Sequence, residues 1–332
     1  MTMFVVTGGA GFIGSALIWA LNQRGLNDIV VVDRFEDGEK WLNLRNLNVY
    51  DYMDKQTFRE KIYSGHLPAQ PEVIFHLGAC SATTETDMGY LMDNNYNYTR
   101  ELANYALQRD IRFIYASSAA TYGDGSEGYE DDEEKLETLR PLNKYAYSKH
   151  LFDLHARKNE WLKQIAGLKY FNVYGPNEYH KGEMRSVVHK SFGQAQTDGE
   201  IRLFKSHRDN IEHGQQKRDF LYVKDAVKMT LFFMDNPKAN GIFNIGRGKA
   251  RSFEDLAKAV FKTMQLPENI VYFDMPDEIR NRYQYFTEAT IEKIRDAGFN
   301  GELYSLEAGI ADYLQTYLFK DDPYLKVHNS GK

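Results

Sequence analysis

The chain has 332 residues, 42% of them hydrophobic, with 41 basic and 47 acidic side chains giving a net charge of -6. That length exceeds what one core ordinarily organises, so a large α/β domain with a smaller appendage is expected. The charges are well mixed along the sequence, which argues against a nucleic-acid or membrane-surface partner. No apolar run approaches the roughly 20 residues that cross a bilayer. MFVVTGG opens the chain with no signal-peptide pattern, so a cytoplasmic location is expected.

The first half alternates short apolar runs with helical patterns: MFVVTG (3 to 8), DIVVVD (28 to 33), EVIFHLGA (72 to 79), RFIYASS (112 to 118) and AGLKYFNVYG (166 to 175). Between them, residues 15 to 25 and 92 to 110 carry apolar side chains at three- and four-residue intervals, the period of an amphipathic helix. Strands alternating with helices predict an α/β fold, a Rossmann-type doubly wound parallel sheet over residues 1 to 175. After residue 176 the pattern loosens, and residues 176 to 320 are expected to form a smaller C-terminal substrate-binding lobe, with some elements returning to the sheet. The acidic run EGYEDDEEKLE (127 to 137) reads as a solvated loop or short helix without chemistry, and residues 321 to 332 as a frayed tail.

The first run enters TGGAGFIG, placing Gly8, Gly11 and Gly14 three residues apart between strand and helix. Such a turn lets the backbone approach a pyrophosphate and turns the N–H groups of a helix N-terminus towards it. The acidic residue expected at the end of the second strand is Asp33, positioned for the adenosine ribose. Arg34 and Lys40 follow it, and on the residues alone they are equally solvated surface cations or ligands of a 2′-phosphate. The single cysteine, Cys80, ends an apolar run and is expected to be a packed, inert thiol. The nine histidines show no metal-ligand spacing, so no metal site is expected.

A catalytic tyrosine needs a cation beside it, because free tyrosine titrates near pH ~10. Lys149 lies one helical turn after Tyr145, on the same face. Ser118, after RFIYAS, falls at the same carboxyl edge of the sheet and can donate to a substrate oxygen that Tyr145 deprotonates. A further lysine, Lys181, stands in NVYGPNEYHKG (172 to 182), where the residues alone favour a surface lysine in a turn.

TGGAGFIG, Asp33, the Ser118 segment, Tyr145 with Lys149 and RDFLYVKDAV (218 to 227) resemble the extended short-chain dehydrogenase/reductases over nearly the whole chain. Within that group, HLGACSATTETD (76 to 87), MDNNY (92 to 96), YASSAATYG (115 to 123), KYFNVYGPNEYHKG (169 to 182) and NRYQYFTEA (281 to 289) resemble the nucleotide-sugar epimerases of the ADP-L-glycero-D-manno-heptose 6-epimerase family. The resemblance implies a cytoplasmic enzyme of lipopolysaccharide core precursor synthesis. It would epimerise ADP-heptose at C6 through a transient 6-ketone with bound NADP, NAD being possible, as a homo-oligomer, pentameric in the family.

Carried over by resemblance, the cofactor contacts fall on Phe12, Ile13, Asp33, Arg34, Lys40, Lys55, Leu77, Gly78, Ala79, Cys80, Ser81, Asn94, Tyr145, Lys149 and Val173. The substrate contacts fall on Asn172, Lys181, the Phe204 region, Arg218 and Tyr283. The resemblance also makes Lys181 a second acid–base group. A ketone that turns its other face to a fixed nicotinamide moves its oxygen away from Tyr145 and needs a proton elsewhere. Glu183 and Lys190 depart from the family's small hydroxyl residue and histidine, and the loop at 205 to 217 is longer than usual. Two rivals share the scaffold. A dehydratase would carry an Asp-Glu pair where Ala119 and Ala120 follow Ser118, and a UDP-hexose 4-epimerase has no need of Lys181. A non-catalytic NADP sensor would have no use for Ser118, Tyr145 and Lys149 together.

Overall fold

The apolar runs of the first half become parallel strands in a computed structural model that describes residues 3–35, 38–65, 67, 69–280 and 283–327. They are β1 (Phe4–Thr7), β2 (Ile29–Asp33), β4 (Val73–His76), β5 (Arg112–Ser118) and β6 (Ala166–Tyr170), joined by an edge strand that no apolar run marked, β3 (Asp51–Asp54). The connecting helices are α1 (Phe12–Gln23), α2 (Lys55–Ser64), α3 (Met88–Leu91), α4 (Tyr98–Leu107) and α5 (Lys144–Lys158). A π-helical turn, Met92–Asn97, joins α3 to α4.

Alternation along each strand decides which layer a side chain enters. Phe4, Val6, Ile29 and Val31 pack with α1, whereas Val5, Val30 and Val32 pack with α2 and α4. Both faces of the sheet are therefore covered, as a parallel sheet requires. Its seven strands run in the order Gly241–Ile245, β6, β5, β4, β1, β2, β3, and the order reverses beside β1, where ligands of open α/β sheets collect.

The expected strand over 166 to 175 is two strands. Phe171 N makes the last bond to the main sheet, donating to Ile245 O at 3.0 Å, and the chain then leaves it, Asn172 N donating to Asp219 O at 3.2 Å. β7 (Asn172–Tyr174) then pairs with Phe220–Tyr222 instead. The later half contributes α6 (Val187–Asp198), β8 (Ile201–Phe204), β9 (Lys217–Arg218), β10 (Phe220–Tyr222), α7 (Val223–Asp235), β11 (Gly241–Ile245) and α8 (Phe253–Met264). β11 pairs in parallel with β6 and completes the main sheet, and α7 packs into the same layer as α1.

Two expectations about polar segments are corrected. The acidic run is structural as well as solvated: Asp131 Oδ2 accepts from Asn244 N at 2.8 Å, and Glu133 Oε1 accepts from Ile242 N at 2.8 Å and from Lys293. It ties the last strand of the sheet. The tail is docked as far as it is described, to residue 327. Leu325 is fully buried, Trp19 Nε1 donates to Lys326 O at 3.0 Å, and Asp322 pairs with Arg45 at 2.6 Å. Residues 328–332 lie outside the described residues.

Candidate active site

β1 stops at Thr7 because Gly8 turns the chain with φ of 67°, where a Cβ would stand 2.7 Å from Gly78 Cα. At Gly14 a Cβ would meet Gly8 O at 2.1 Å, so the helix can sit this close to the turn only without side chains. α1 begins on Gly11 with no side chain capping it, leaving its first N–H groups directed to the cleft. Asp33 closes β2, and its carboxylate accepts from Ala10 N at 2.8 Å, Arg34 N at 2.7 Å and Lys40 Nζ at 2.6 Å. A glycine cradle, a bare helix N-terminus and a buried carboxylate flanked by a lysine fit a dinucleotide's pyrophosphate and ribose.

A cleft of about 640 Å³ runs from this cradle to Lys181. Gly8, Gly11, Phe12, Ile13, Gly14, Asp33, Arg34, Lys40, Lys55, Leu77, Gly78, Ala79, Ser81, Asn94 and Val173 all line it. Cys80 does not. Its thiol is half-buried, burial pushes its pKa up, and its backbone is held by Asn95, which accepts from Cys80 N at 2.8 Å and donates to Cys80 O at 3.0 Å. Lys55 Nζ donates to Asn94 Oδ1 at 2.8 Å, and burial lowers its pKa. Asn94 and Asn95 both project from the π turn, an irregularity common at functional sites.

Tyr145 and Lys149 are set by a helix cap. Asn143 accepts from Ala146 N at 2.8 Å and starts α5, which puts Tyr145 in the first turn and Lys149 in the next. Asn95 Nδ2 also reaches Ser148 Oγ at 3.0 Å, and Ser148 donates to Tyr145 O at 2.7 Å. Asp153 locks the same helix to β5, accepting from Tyr115 OH at 2.9 Å and Ser117 Oγ at 2.7 Å. Ser118, next along β5, accepts from Ala120 N at 3.2 Å and faces the Tyr145 hydroxyl.

Burial acts on both members of this pair. Tyr145 is buried, and burial raises its pKa above the ordinary value, with a hydrogen bond from Ser118 as the opposing effect. Lys149 Nζ donates to Ala116 O at 2.8 Å, and burial lowers its own pKa to about 8, against a favourable charge from Asp153. The hydrogen bond from Ser118 acts in the direction of ionisation.

Lys181 lies in the turn Tyr179–Met184, half-buried, with its ammonium 5.2 Å from the Phe12 ring centroid. Burial lowers its pKa, and Glu178 partly restores it. It lines the same cleft as Ser118, Tyr145 and Lys149. Two amino-acid bases and a serine hydroxyl therefore face one space.

A second cavity, about 1060 Å³, meets the first at Ser118, Tyr145 and Asn172. Arg218 and Tyr283 line it, with the guanidinium 5.1 Å from the Tyr283 ring centroid. Arg218 is buried, its pKa is lowered by that burial, and among the described residues no carboxylate pairs with it. A buried cation left in this state favours an anionic ligand. Phe204 stands behind, tilted against Phe273 at 4.8 Å and edge-on to Tyr283 at 6.2 Å, and supports Tyr283 rather than facing the cavity.

Residues without a sequence signal of their own also line this cavity, among them Thr83, Thr84, Thr86, Tyr147 and Gln284. The two departures from the family pattern meet each other: Lys190 Nζ lies 3.3 Å from Glu183 Oε2 and donates to Glu183 O at 2.6 Å. Among the described residues, none in the loop at 205 to 217 lines either cavity. It folds back on Tyr285, with His207 N donating to Tyr285 OH at 2.9 Å.

Fold and site together define a protein built to bind a nicotinamide dinucleotide in a cleft that Ser118, Tyr145 and Lys149 also line. The chain belongs to the NAD dependent epimerase/dehydratase family, which matches residues 4–246. It is 51% identical over 323 residues to the ADP-L-glycero-D-manno-heptose-6-epimerase of Nitratidesulfovibrio vulgaris (strain DP4), covering 97% of this chain and 100% of that one. The enzyme of the same name from Fusobacterium nucleatum subsp. nucleatum is 49% identical over 333 residues, with 97% and 100% covered. Among solved structures, the ADP-L-glycero-D-manno-heptose-6-epimerase of Helicobacter pylori superposes with a TM-score of 0.77 at 27% identity, covering 95% of this chain and 96% of that chain. A Thermus thermophilus UDP-glucose 4-epimerase in complex with NAD, at 22% identity and a TM-score of 0.72 over 95% and 98%, shares the fold.

Proposed function

We propose that the chain interconverts ADP-D-glycero-β-D-manno-heptose and ADP-L-glycero-β-D-manno-heptose at C6. The observation that carries this is the pairing of Tyr145 and Lys181 on one cleft, next to a cavity with a buried cation. A bound nicotinamide dinucleotide would supply reversible hydride acceptance at C6. The protons belong to the chain. Tyr145 Oη takes the hydroxyl proton of one epimer, with Ser118 bonded to the same oxygen. Rotation about C5–C6 presents the other face of the ketone and carries its oxygen to Lys181, whose Nζ returns a proton. In the reverse direction the two groups exchange roles, and each resets its proton with solvent after turnover. Arg218 and Tyr283 hold the diphosphate.

The dinucleotide in this proposal is NADP, held by Arg34 and Lys40 beside Asp33. Arg34→Ala should weaken NADP more than NAD by on the order of 1 to 3 kcal/mol, and titration of both cofactors reads the difference. The same proposal places the enzyme in the cytoplasm, as a homo-oligomer, in lipopolysaccharide core precursor synthesis. The test of function is NMR of the product formed from ADP-D-glycero-β-D-manno-heptose in D₂O. The L-glycero epimer with no deuterium at C6 is expected. Deuterium at that carbon would mean a carbanion route and overturn the roles given to both bases.

A further inference from the structure

Within Tyr179–Met184, the turn that carries Lys181, no residue is buried. A base there cannot be held by its own turn and must be held by what surrounds it. The neighbours that hold it come from the far end of the chain. Tyr179 OH donates to Pro323 O at 2.8 Å, and the Tyr179 ring meets Tyr324 edge-on with centroids 5.1 Å apart. Leu325 N donates to Asn177 Oδ1 at 3.0 Å, and Asn177, buried with φ of 75°, reaches from there to Ser15 Oγ on α1 at 2.9 Å. The segment is anchored independently of the turn. Asp322 is paired with Arg45 and bonded to Asn46 at 3.1 Å, Arg45 lies 4.9 Å over the Tyr324 ring, and Trp19 of α1 holds Lys326.

We propose that the segment around Pro323, Tyr324 and Leu325 is a positioning strut for Lys181, fixing the second proton-transfer group against the helix that receives the cofactor. This rests on the two-base proposal. The physical argument is one of constraint. Tyr145 inherits its place from a helix bonded to the sheet, whereas the turn of Lys181 is held by Glu178 just before it, by His180, whose Nδ1 lies 3.1 Å from Asn43 Nδ2, by Tyr179 against His189, and by these contacts. Glu178 fixes the turn's two ends, accepting from Gly175 N at 3.2 Å and Ser186 Oγ at 2.7 Å. The strut fixes its first residue, Tyr179, two positions before Lys181.

The experiment uses full-length Tyr179→Phe, which removes the bond to Pro323 and keeps the ring, and Tyr324→Ala, which removes the facing ring. Each is loaded with oxidised cofactor and given each C6 epimer in turn, and the first oxidation is followed by nicotinamide absorbance, with Lys181→Met as reference. Misplacing a reacting group by about 1 Å can slow a step by up to ~100-fold. Both variants should therefore slow the epimer that Lys181→Met slows, by about 10- to 100-fold, and spare the other. A general loosening of the fold would slow both epimers alike, and that result, or no slowing at all, overturns the strut. If Tyr324→Ala does not fold, Tyr179→Phe decides alone. Lys181→Met slowing neither epimer would bring down the two-base proposal instead, and the strut with it.

Discussion

The two proton-transfer groups proposed for this cleft are held in opposite ways. Tyr145 sits on a 15-residue helix that Asn95, Asp153 and Ser148 bond to the sheet and to its loops. Lys181 sits on a short turn braced from outside, by Asn177, Glu178 and the chain's last described residues. The difference teaches that a sheet edge supplies one precise position cheaply, through packing the core needs anyway, whereas a second position opposite it has to be assembled from loops. Rigidity at the first site and bracing at the second are separate devices, and they can be broken separately.

The largest effect should come from the bases themselves. Tyr145→Phe and Lys181→Met should each cut epimerisation by about 10²- to 10⁴-fold, measured as product by NMR, while cofactor binding persists. Each variant should retain oxidation of a different epimer, and retention of the same epimer by both would erase the comparison. The next effect is on pH dependence. Lys149 loses its charge near pH 8, with Asp153 helping to hold the proton and burial opposing it. A rate that needs the Lys149 cation falls as pH rises through that value. In Asp153→Asn the alkaline limb of the rate profile should move to lower pH, a change that mere loss of packing would not produce.

A smaller effect concerns stability. Lys169 is fully buried with no hydrogen bond among the described residues, its Nζ 3.9 Å from Asp153 and 4.2 Å from the Tyr122 ring centroid. Burial lowers its pKa to about 8, from 10.5 in an open chain. Between those values the unfolded chain binds more protons than the folded one, so this lysine makes stability rise with pH across that window. Lys169→Met should flatten the rise by on the order of 1 to 2 kcal/mol in denaturant titrations at pH 7.5 and 9.5. The smallest effect belongs to the exposed turn. Replacing Glu183 by Ser removes an ion pair with one partner 94% exposed, and stability should change by less than about 1 kcal/mol.

What could be read from residues was what is local in sequence. The glycine turn, Asp33 at a strand end, and Tyr145 with Lys149 one turn apart each declare themselves within a few positions, because backbone geometry alone brings them together. The break at Phe171 was hidden, since an apolar run of ten does not reveal that its second half pairs with a strand about 50 residues on. Lys181 was legible through family resemblance only, a lysine in a turn being ordinary in itself. Asn95, Asp153 and the docking of the tail escaped notice because their partners are distant: Cys80 and Ser148 for the first, Tyr115 and Ser117 for the second, Asn177 for the third. The Glu183 and Lys190 departures were visible as departures. That they answer one another was not.

The place of β11 in the sheet has a consequence for how the chain is born. β6 pairs with β5 on one side, but its other neighbour ends at Ile245, about 75 residues later. At ribosomal rates of roughly 5 to 20 residues per second, that interval is about 4 to 15 seconds. For that time AGLKY is an open strand margin, the kind of surface on which other chains add. Lys169 is the fourth of its five residues, and while water still reaches that strand the side chain carries a full charge that repels such additions. The newborn protein is thus guarded by the residue that the finished protein must bury.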